Sequence, residues 1–186
     1  MYDFPIQFDH PYLLHQRHIT YDVTTHFGVG GYNNHILFPV HDPHGTFVDY
    51  IPRVLDHTEP KYCLPTGFAK TQYLFNYHRA KEARRQAVIV VEGFFGCIWL
   101  HQLGYPSVVA LMGSTMSEKQ EHLLTRWWEY VIFMMDGDAP GRRAQKDFVE
   151  RMNKRGLKGV FGVNVPDGTQ PDHLSLAQIQ TVLQLG

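Results

Sequence analysis

The amino-acid sequence predicts an α/β protein in which a parallel sheet, flanked by helices, occupies the second half of the chain. Two short apolar runs support this prediction, and each ends in acid: Ala87–Val91 leads into Glu92, and Tyr130–Met135 leads into Asp136 and Asp138. Runs of this kind, rich in branched and aromatic residues, are typical of strands buried on both faces. Strand patterns also alternate with helix patterns from residue 87 onward. With 186 residues, of which 44% are hydrophobic, the chain can bury a core.

Residues 1–86 predict a small α+β subdomain that contains a hairpin. The turn is expected at Asp42-Pro43-His44-Gly45, because proline second and glycine fourth suit a type I turn. Prolines interrupt residues 52–71, so no long element is expected there. The other expected elements are a short helix near Tyr12, a helix capped by Thr20 and stopped by Gly28, strands over 35–40 and 46–51, and a helix over 72–85.

Residues 87–186 predict the parallel α/β layer. Ser117 and Gln120 form a capping-box pattern at the start of one of its helices. Trp127 and Trp128 are expected in the core, although an exposed tryptophan would mark a contact surface. The expected strands span 87–91, 108–112, 130–135 and 160–165, and the expected helices span 94–103, 117–127, 140–155 and 175–183.

The acids at the strand ends predict a metal site. Because ligands of open parallel sheets bind beyond the carboxyl ends of the strands, Glu92, Asp136 and Asp138 are expected to lie close together. Three carboxylates would repel one another unless they shared a cation, and hard oxygen ligands favour Mg2+. Taken alone, the second acid pair is also typical of a turn in which Asp138 caps a helix.

Composition excludes several classes of protein. The formal charge of −1 indicates no global basic surplus, so nucleic-acid binding would rest on a local patch. Cys63 and Cys97 lie far apart without a C-x-x-C pattern, and twelve scattered histidines add no paired spacing, so neither a zinc site nor a disulfide framework is expected. No stretch approaches the roughly 20 apolar residues of a membrane span. A cytoplasmic protein is expected.

The order of these motifs resembles the Toprim domain of bacterial DnaG-type primases. The resemblance lies in Val91-Glu92-Gly93, Val108–Gly113 followed by Ser117–Gln120, and Asp136–Gly141. The first half is similar to the segment that precedes Toprim in those primases. Its matching motifs are Phe38-Pro39-Val40, Pro52-Arg53-Val54-Leu55, Pro60-Lys61-Tyr62, Phe68-Ala69-Lys70 and Tyr73-Leu74-Phe75.

The resemblance implies an enzyme that synthesises RNA primers from nucleotides on a single-stranded DNA template, with Mg2+ or Mn2+. It implies that Glu92, Asp136 and Asp138 are catalytic, and that these acids and Asp172 bind metal. It also implies nucleotide or nucleic-acid binding by Arg53, Lys61, Tyr62 and Lys70. Without the resemblance, the three cations would be expected to be solvated surface charges and Tyr62 a packed ring.

Two departures from the family pattern favour alternative functions. The family usually carries an aspartate where this chain has Gly96, and Asp-Pro-Asp where it has Gln170-Pro171-Asp172. The zinc ribbon and the helical and helicase-binding regions of the family are expected to be absent, so this chain would be a fragment or would borrow those parts from partners. The alternatives are a non-catalytic nucleic-acid or replisome-binding module and a Toprim nuclease.

Overall fold

The computed structural model describes residues 5–56 and 59–184. The chain divides into two compact units, residues 1–69 and 70–186. Residues 70–76 belong to the second unit because they pair with its backbone: the Gln120 side-chain amide donates to the Tyr73 carbonyl at 2.8 Å. The domain boundary predicted after residue 86 concerns the extent of the family domain and stays a prediction, while the compact units separate before Lys70.

The first unit contains an antiparallel sheet of order β1-β2-β3, formed by β1 (Gly30–Tyr32), β2 (His35–His41) and β3 (Phe47–Val54). The predicted hairpin is β2 and β3, and its turn is closed by a hydrogen bond from the Gly45 amide to the Asp42 carbonyl at 3.0 Å. A π-helical turn, Tyr12–Gln16, and α1 (Tyr21–Phe27) complete the unit, as the sequence predicts. Its buried side chains include Leu13, Phe27, Ile36, Phe38 and Ile51.

The sequence does not predict β1, a three-residue strand that contains two glycines. A β-carbon on Gly30 would lie 2.4 Å from an Ile6 methyl carbon, and one on Gly31 would lie 2.3 Å from the His10 ring. Glycine normally weakens a strand, so the pattern gave no strand signal. Close approach of the amino-terminal segment makes glycine necessary at both positions.

The second unit is built on a parallel sheet of order β5-β4-β6-β7. The sequence predicts all of its strands, which are β4 (Ala87–Val91), β5 (Val108–Ala110), β6 (Tyr130–Phe133) and β7 (Gly159–Gly162). The central strands β4 and β6 are neighbours in register, with Ala87 opposite Tyr130. Their carboxyl ends therefore open at the same edge of the sheet.

The helices of the second unit are α2 (Tyr77–Glu82), α3 (Phe94–Gln102), α4 (Glu118–Trp127), α5 (Ala139–Met152) and α6 (Leu176–Gln184). The predicted capping box of α4 is confirmed, because the Ser117 hydroxyl accepts from the Gln120 amide and the Gln120 side chain accepts from the Ser117 amide. Within the described ranges, no helix combines the length and apolarity needed to cross a bilayer.

The predicted helix over residues 72–85 is wrong in its first half. Phe75 exchanges two backbone hydrogen bonds with Ala110, at 3.0 and 3.2 Å, as a short extension of the sheet. Asn76 then adopts a left-handed conformation with φ of 66°, and its side-chain amide donates to the Val108 carbonyl. Helix α2 begins only after this turn, because the backbone of Phe75 pairs with the sheet, and the Asn76 carbonyl is the first acceptor of the helix, from the Ala80 amide at 3.0 Å.

Trp127 is also misplaced by the sequence prediction. Its side chain is 52% exposed, whereas that of Trp128 is 3% exposed. Helix α4 ends at Trp127, and the extended conformation of Trp128 turns its ring inward to meet Tyr77 edge-on at 5.5 Å between centroids. Trp128 therefore packs in the core, and Trp127 lies at the surface.

Candidate active site

The predicted acids converge at the carboxyl edge of the second unit's sheet. Glu92 directly follows β4, and Asp136 comes three residues after the end of β6. Both side chains are half-buried, whereas Asp138 is exposed. Because β4 and β6 are adjacent and parallel, their register places the following residues at one edge.

The electrostatics of these carboxyl groups show that they are close. Burial first, and then the negative charges of Glu92, Asp172 and Asp138, together raise the pKa of Asp136 to about 7. The pKa of Glu92 is raised by burial and by Asp138, while the nearby Lys70 ammonium acts in the opposite direction. The fold therefore gathers mutually repelling acids, and one of them resists ionisation at neutral pH.

Asp138 caps a helix. Its carboxylate oxygen Oδ1 accepts a hydrogen bond from the Gly141 amide at 2.7 Å, in the first turn of α5. A carboxylate at this position satisfies an otherwise unpaired amide and complements the helix dipole. The structural interpretation of Asp138 is thus confirmed, and its catalytic and metal-binding roles stay predictions.

Gly137 lets the loop that precedes Asp172 approach the acids. Its amide donates to the Thr169 carbonyl at 2.9 Å, and its carbonyl accepts from the Gly168 amide at 2.8 Å. A β-carbon at Gly137 would lie 2.1 Å from the Pro166 carbonyl oxygen, so no other residue fits. This double backbone contact fixes the 166–169 turn beside Asp136.

Asp172 lies in a short 3-10 helix, Pro171–His173, that packs on α3. The Trp99 indole donates to the Leu174 carbonyl at 2.7 Å and holds this segment in place. A β-carbon on Gly96 would lie 3.5 Å from the Pro171 β-carbon, an ordinary contact. The two positions that depart from the family pattern, Gly96 and Gln170, are therefore neighbours in the fold.

Lys70 belongs to the same unit as the acids. Its ammonium donates to the Met112 carbonyl at 3.4 Å, in the turn that follows β5. The next residue, Gly113, donates its amide to the Glu92 carbonyl at 3.2 Å. Lys70 thus places a positive charge beside the carboxyl groups, as its influence on the pKa of Glu92 also indicates.

The other predicted binding residues lie in the first unit. The Arg53 guanidinium stands 5.2 Å from the centre of the Tyr62 ring, and its Nε donates to the Tyr12 hydroxyl at 3.2 Å. The strand β3 pairs with the segment carrying Tyr62, since the Val54 amide donates to the Lys61 carbonyl at 2.9 Å. Burial raises the pKa of Tyr62. Lys61 is exposed, with Nζ 3.9 Å from a Glu59 carboxylate oxygen.

Tyr12 and Arg17 lie in the same cluster as Arg53 and Tyr62, and the sequence does not predict their place there. Nε and Nη2 of Arg17 donate to the Tyr12 hydroxyl at 3.0 and 2.8 Å, so two guanidinium groups meet at one oxygen. Tyr12 and Arg17 are 41 and 36 positions before Arg53, and no spacing rule connects them. Only the packing of the π-helical turn beside the sheet shows the cluster.

The donor chemistry of the acid cluster fits a hard divalent cation, because carboxylate oxygens are the ligands such ions prefer. The positions of the side chains do not yet form a ligand set. Across residues 5–56 and 59–184, no group of three His, Cys, Asp or Glu side chains is arranged to hold an ion. A bound cation would have to draw these carboxylates together.

A comparison with known protein families matches the region that contains the acid cluster. The family described as Toprim-like matches residues 89–179. The DNA primase of Clostridium acetobutylicum is 32% identical over 145 residues, which cover 76% of this chain and 24% of that primase. The chain thus spans about a quarter of the length of this curated relative.

Solved structures show the same fold. The DnaG catalytic core superimposes with a TM-score of 0.81 at 23% identity, over 92% of this chain and 71% of the other. The DnaG primase catalytic domain bound to single-stranded DNA gives 0.80 at 24% identity, over 92% and 69%.

The sheet, its acid edge and the matched segment define a Toprim-domain protein. More specifically, the chain belongs to the DnaG-type DNA primase family, and it has the fold of the DnaG catalytic core. Proteins of this family generally use a divalent metal ion.

Proposed function

We propose that this chain is a primase-type nucleotidyltransferase core, which synthesises RNA primers on single-stranded DNA with Mg2+ or Mn2+. The observation that supports it most is the convergence of Glu92, Asp136, Asp138 and Asp172, where burial and the neighbouring carboxylates together raise the pKa of Asp136 to about 7. Homology to DNA primases adds the reaction class, and a structural neighbour bound to single-stranded DNA adds the template.

The proposed cation ligands are Glu92, Asp136, Asp138 and Asp172. A divalent ion held there would neutralise the attacking ribose 3′-oxygen and the leaving pyrophosphate during in-line transfer at the α-phosphate. Asp136 must give up its proton to bind the ion, so binding and deprotonation are coupled. Glu92, whose pKa is also raised, is suited to accept the proton of the attacking hydroxyl.

The proposed binding residues act mainly through charge. Lys70 would contact phosphate oxygens of the incoming nucleotide, since its ammonium already lies beside Glu92. Arg53 and Lys61 would contact phosphates of nucleotide or template, and the Tyr62 ring would stack on a base. We extend this set to Arg17, because its guanidinium shares the Tyr12 hydroxyl with Arg53.

Partners follow from the same proposal. The match covers only 24% of the relative's length, so template selection and helicase contact would come from a zinc-ribbon or helicase partner, or from a longer parent chain. A DNA-templated role also implies a cytoplasmic protein.

A primer-synthesis assay tests the proposal, with single-stranded template, the four ribonucleotides and Mn2+. We expect products from the parent chain and none from the Asp136→Ala, Asp138→Ala double variant. Glu150→Gln, an exposed acid on α5, is the matched control and should keep full activity. Equal product from the double variant would contradict the assigned site.

A second candidate function is a non-catalytic nucleic-acid or replisome-binding module. Gly96 and Gln170 favour it, because neighbouring positions that usually carry acid in the family carry none here. It predicts oligonucleotide binding in EDTA and no incorporation of nucleotides under any metal. The same assay without nucleotides detects the third alternative, a Toprim nuclease, as loss of the template in Mg2+.

A further inference from the structure

An exposed tryptophan flanked by cations lies at the end of α4. The Trp127 side chain is 52% exposed, although most large apolar side chains of the second unit are buried. The Lys81 ammonium stands 5.4 Å from the centre of its ring, and the Arg126 guanidinium carbon stands 5.8 Å away. A flat aromatic face and fixed positive charges are thus presented together at the surface.

This surface is separate from the acid cluster. Lys81 precedes β4 and Trp127 precedes β6, and these parallel strands begin in register at Ala87 and Tyr130. Trp127, three residues before β6, therefore lies at the amino edge of the sheet with Lys81, which contacts its ring, and Glu92 lies beyond the carboxyl edge. Because β4 is five residues long, the two edges are roughly 17 Å apart.

The indole is held in position by the contact between α2 and α4. The Tyr77 hydroxyl donates to the Leu123 carbonyl at 3.1 Å, and the Tyr77 ring meets Trp128 edge-on. The Trp127 ring is therefore preorganised rather than free to collapse onto the core.

Further cations extend the surface at the start of β4. Arg84 and Arg85 are exposed, and the Gln86 carbonyl that follows them accepts from the Glu129 and Tyr130 amides at 2.9 and 3.1 Å. These bonds tie the approach to β4 to the approach to β6, next to Trp127. The nearby Glu129 is ion-paired with Lys158 at 2.7 Å. We name the residues Lys81, Arg84, Arg85, Arg126 and Trp127 the Trp127 surface.

We propose that the Trp127 surface is a second contact for single-stranded DNA, with a base stacked on the indole and phosphates held by the cations. An acidic protein segment would need the charges but not an exposed flat ring, whereas single-stranded DNA supplies both phosphate anions and the π-faces of unpaired bases. The proposal rests on the proposed function, because that function identifies single-stranded DNA, rather than another polyanion, as the ligand. The Trp127 surface would bind the DNA strand at a second place, away from the acid edge.

Binding of a labelled oligo(dT) of about 12 nucleotides tests the proposal, measured by fluorescence anisotropy in EDTA without nucleotides. We expect Trp127→Ala to weaken binding roughly fivefold or more, because it removes one stacked base. Trp127→Phe should retain most of the affinity, since a ring remains. Phe161→Ala removes another exposed aromatic of the same unit and should leave affinity unchanged. Circular dichroism of each variant verifies that it is folded.

The salt dependence tests the role of the cations. The Lys81→Gln, Arg126→Gln double variant should reduce the slope of log affinity against log salt by about 1.4, whereas Lys154→Gln, an exposed control in the same unit, should not. A polyglutamate peptide should compete poorly with oligo(dT). Parent-like binding by Trp127→Ala, equal loss in the Phe161 control, or equal competition by polyglutamate would each overturn the proposal.

A variant of the acid cluster distinguishes failure of this proposal from failure of the proposed function. The Asp136→Ala, Asp138→Ala variant should lose primer synthesis but bind oligo(dT) in EDTA as tightly as the parent. If neither the parent nor any variant synthesises primers, the binding measurements still test whether the Trp127 surface binds single-stranded DNA.

Discussion

The Lys70 ammonium occupies the space that a side chain at position 113 would need. A β-carbon on Gly113 would lie 2.6 Å from Lys70 Nζ, and the φ of Gly113 is +155°, which disfavours other residues. A side chain at position 113 would therefore displace the Lys70 ammonium from its present position at the acid edge.

Gly113→Ala should therefore act partly through Lys70. We expect a loss of stability of about 1–3 kcal/mol from the backbone and a loss of primer synthesis in the same direction as the roughly hundredfold loss expected for Lys70→Ala. The double variant should be no less active than the worse single variant, because one substitution displaces the charge that the other removes. Multiplicative losses in steady-state assays would show that Gly113 acts independently of Lys70.

Asp136 predicts an unusual dependence of stability on pH. Its pKa rises from 3.8 to about 7 on folding, so between these values the folded state binds the proton more tightly and stability falls as pH rises. Asp136→Asn should be more stable than the parent at pH 8 in EDTA by about 1–2 kcal/mol, after discounting for solvent screening. The difference should vanish near pH 4.

Urea denaturation at both pH values measures this effect, with Glu150→Gln as an exposed-acid control that should show no such difference. Mn2+ should then stabilise the parent more than the Asn variant, because only the parent offers the ligand. Equal stability of parent and Asn variant at pH 8 would contradict the assigned electrostatics.

The sequence predicts the strands of the second unit and the meeting of Glu92 with Asp136, because both follow from periodicity and from the geometry of parallel sheets. It failed at Phe75 and Asn76, where a backbone bridge to Ala110 overrides helical propensity. It also failed at Trp127, since adjacent tryptophans at a helix end cannot both face the core. Such outcomes depend on which residue ends the helix, and local patterns leave that open.

Asp138 allows its structural and chemical roles to be separated. Asp138→Ala should lose about 1 kcal/mol of stability, because the Gly141 amide loses its acceptor. Asp138→Ser keeps a capping oxygen and should retain stability within about 0.5 kcal/mol, yet it should lose primer synthesis if the carboxylate binds the cation. Thermal unfolding and primer assays on the same preparations compare the two; full activity of the Ser variant would restrict Asp138 to capping.

Gly137→Ala should be severely destabilising. The added carbon would meet the Pro166 carbonyl oxygen at 2.1 Å, and both groups belong to backbone that is hydrogen-bonded in the same turn. We expect a loss of about 3 kcal/mol or more in the free energy of unfolding. Gly93→Ala is the matched control, because nothing lies within 4 Å of its added carbon, and it should cost less than about 1 kcal/mol.

Gly96 offers a test of whether the missing acid can be restored. A β-carbon there would make ordinary contacts with Pro171 at 3.5 Å and with Val91 at 3.6 Å, so Gly96→Ala should fold at least as well as the parent. Gly96→Asp adds a buried carboxylate near Asp172, and we expect it to lose about 1–3 kcal/mol of stability in EDTA.

Mn2+ should reverse that loss, because the cation would compensate the added charge. The Gly96→Asp variant should therefore show a larger rise in melting temperature with Mn2+ than either the parent or Gly96→Ala, and a higher Mn2+ affinity by calorimetry. If Mn2+ stabilises all three chains equally, position 96 lies outside the cation's reach, and the acid edge works with Glu92, Asp136 and their neighbours alone.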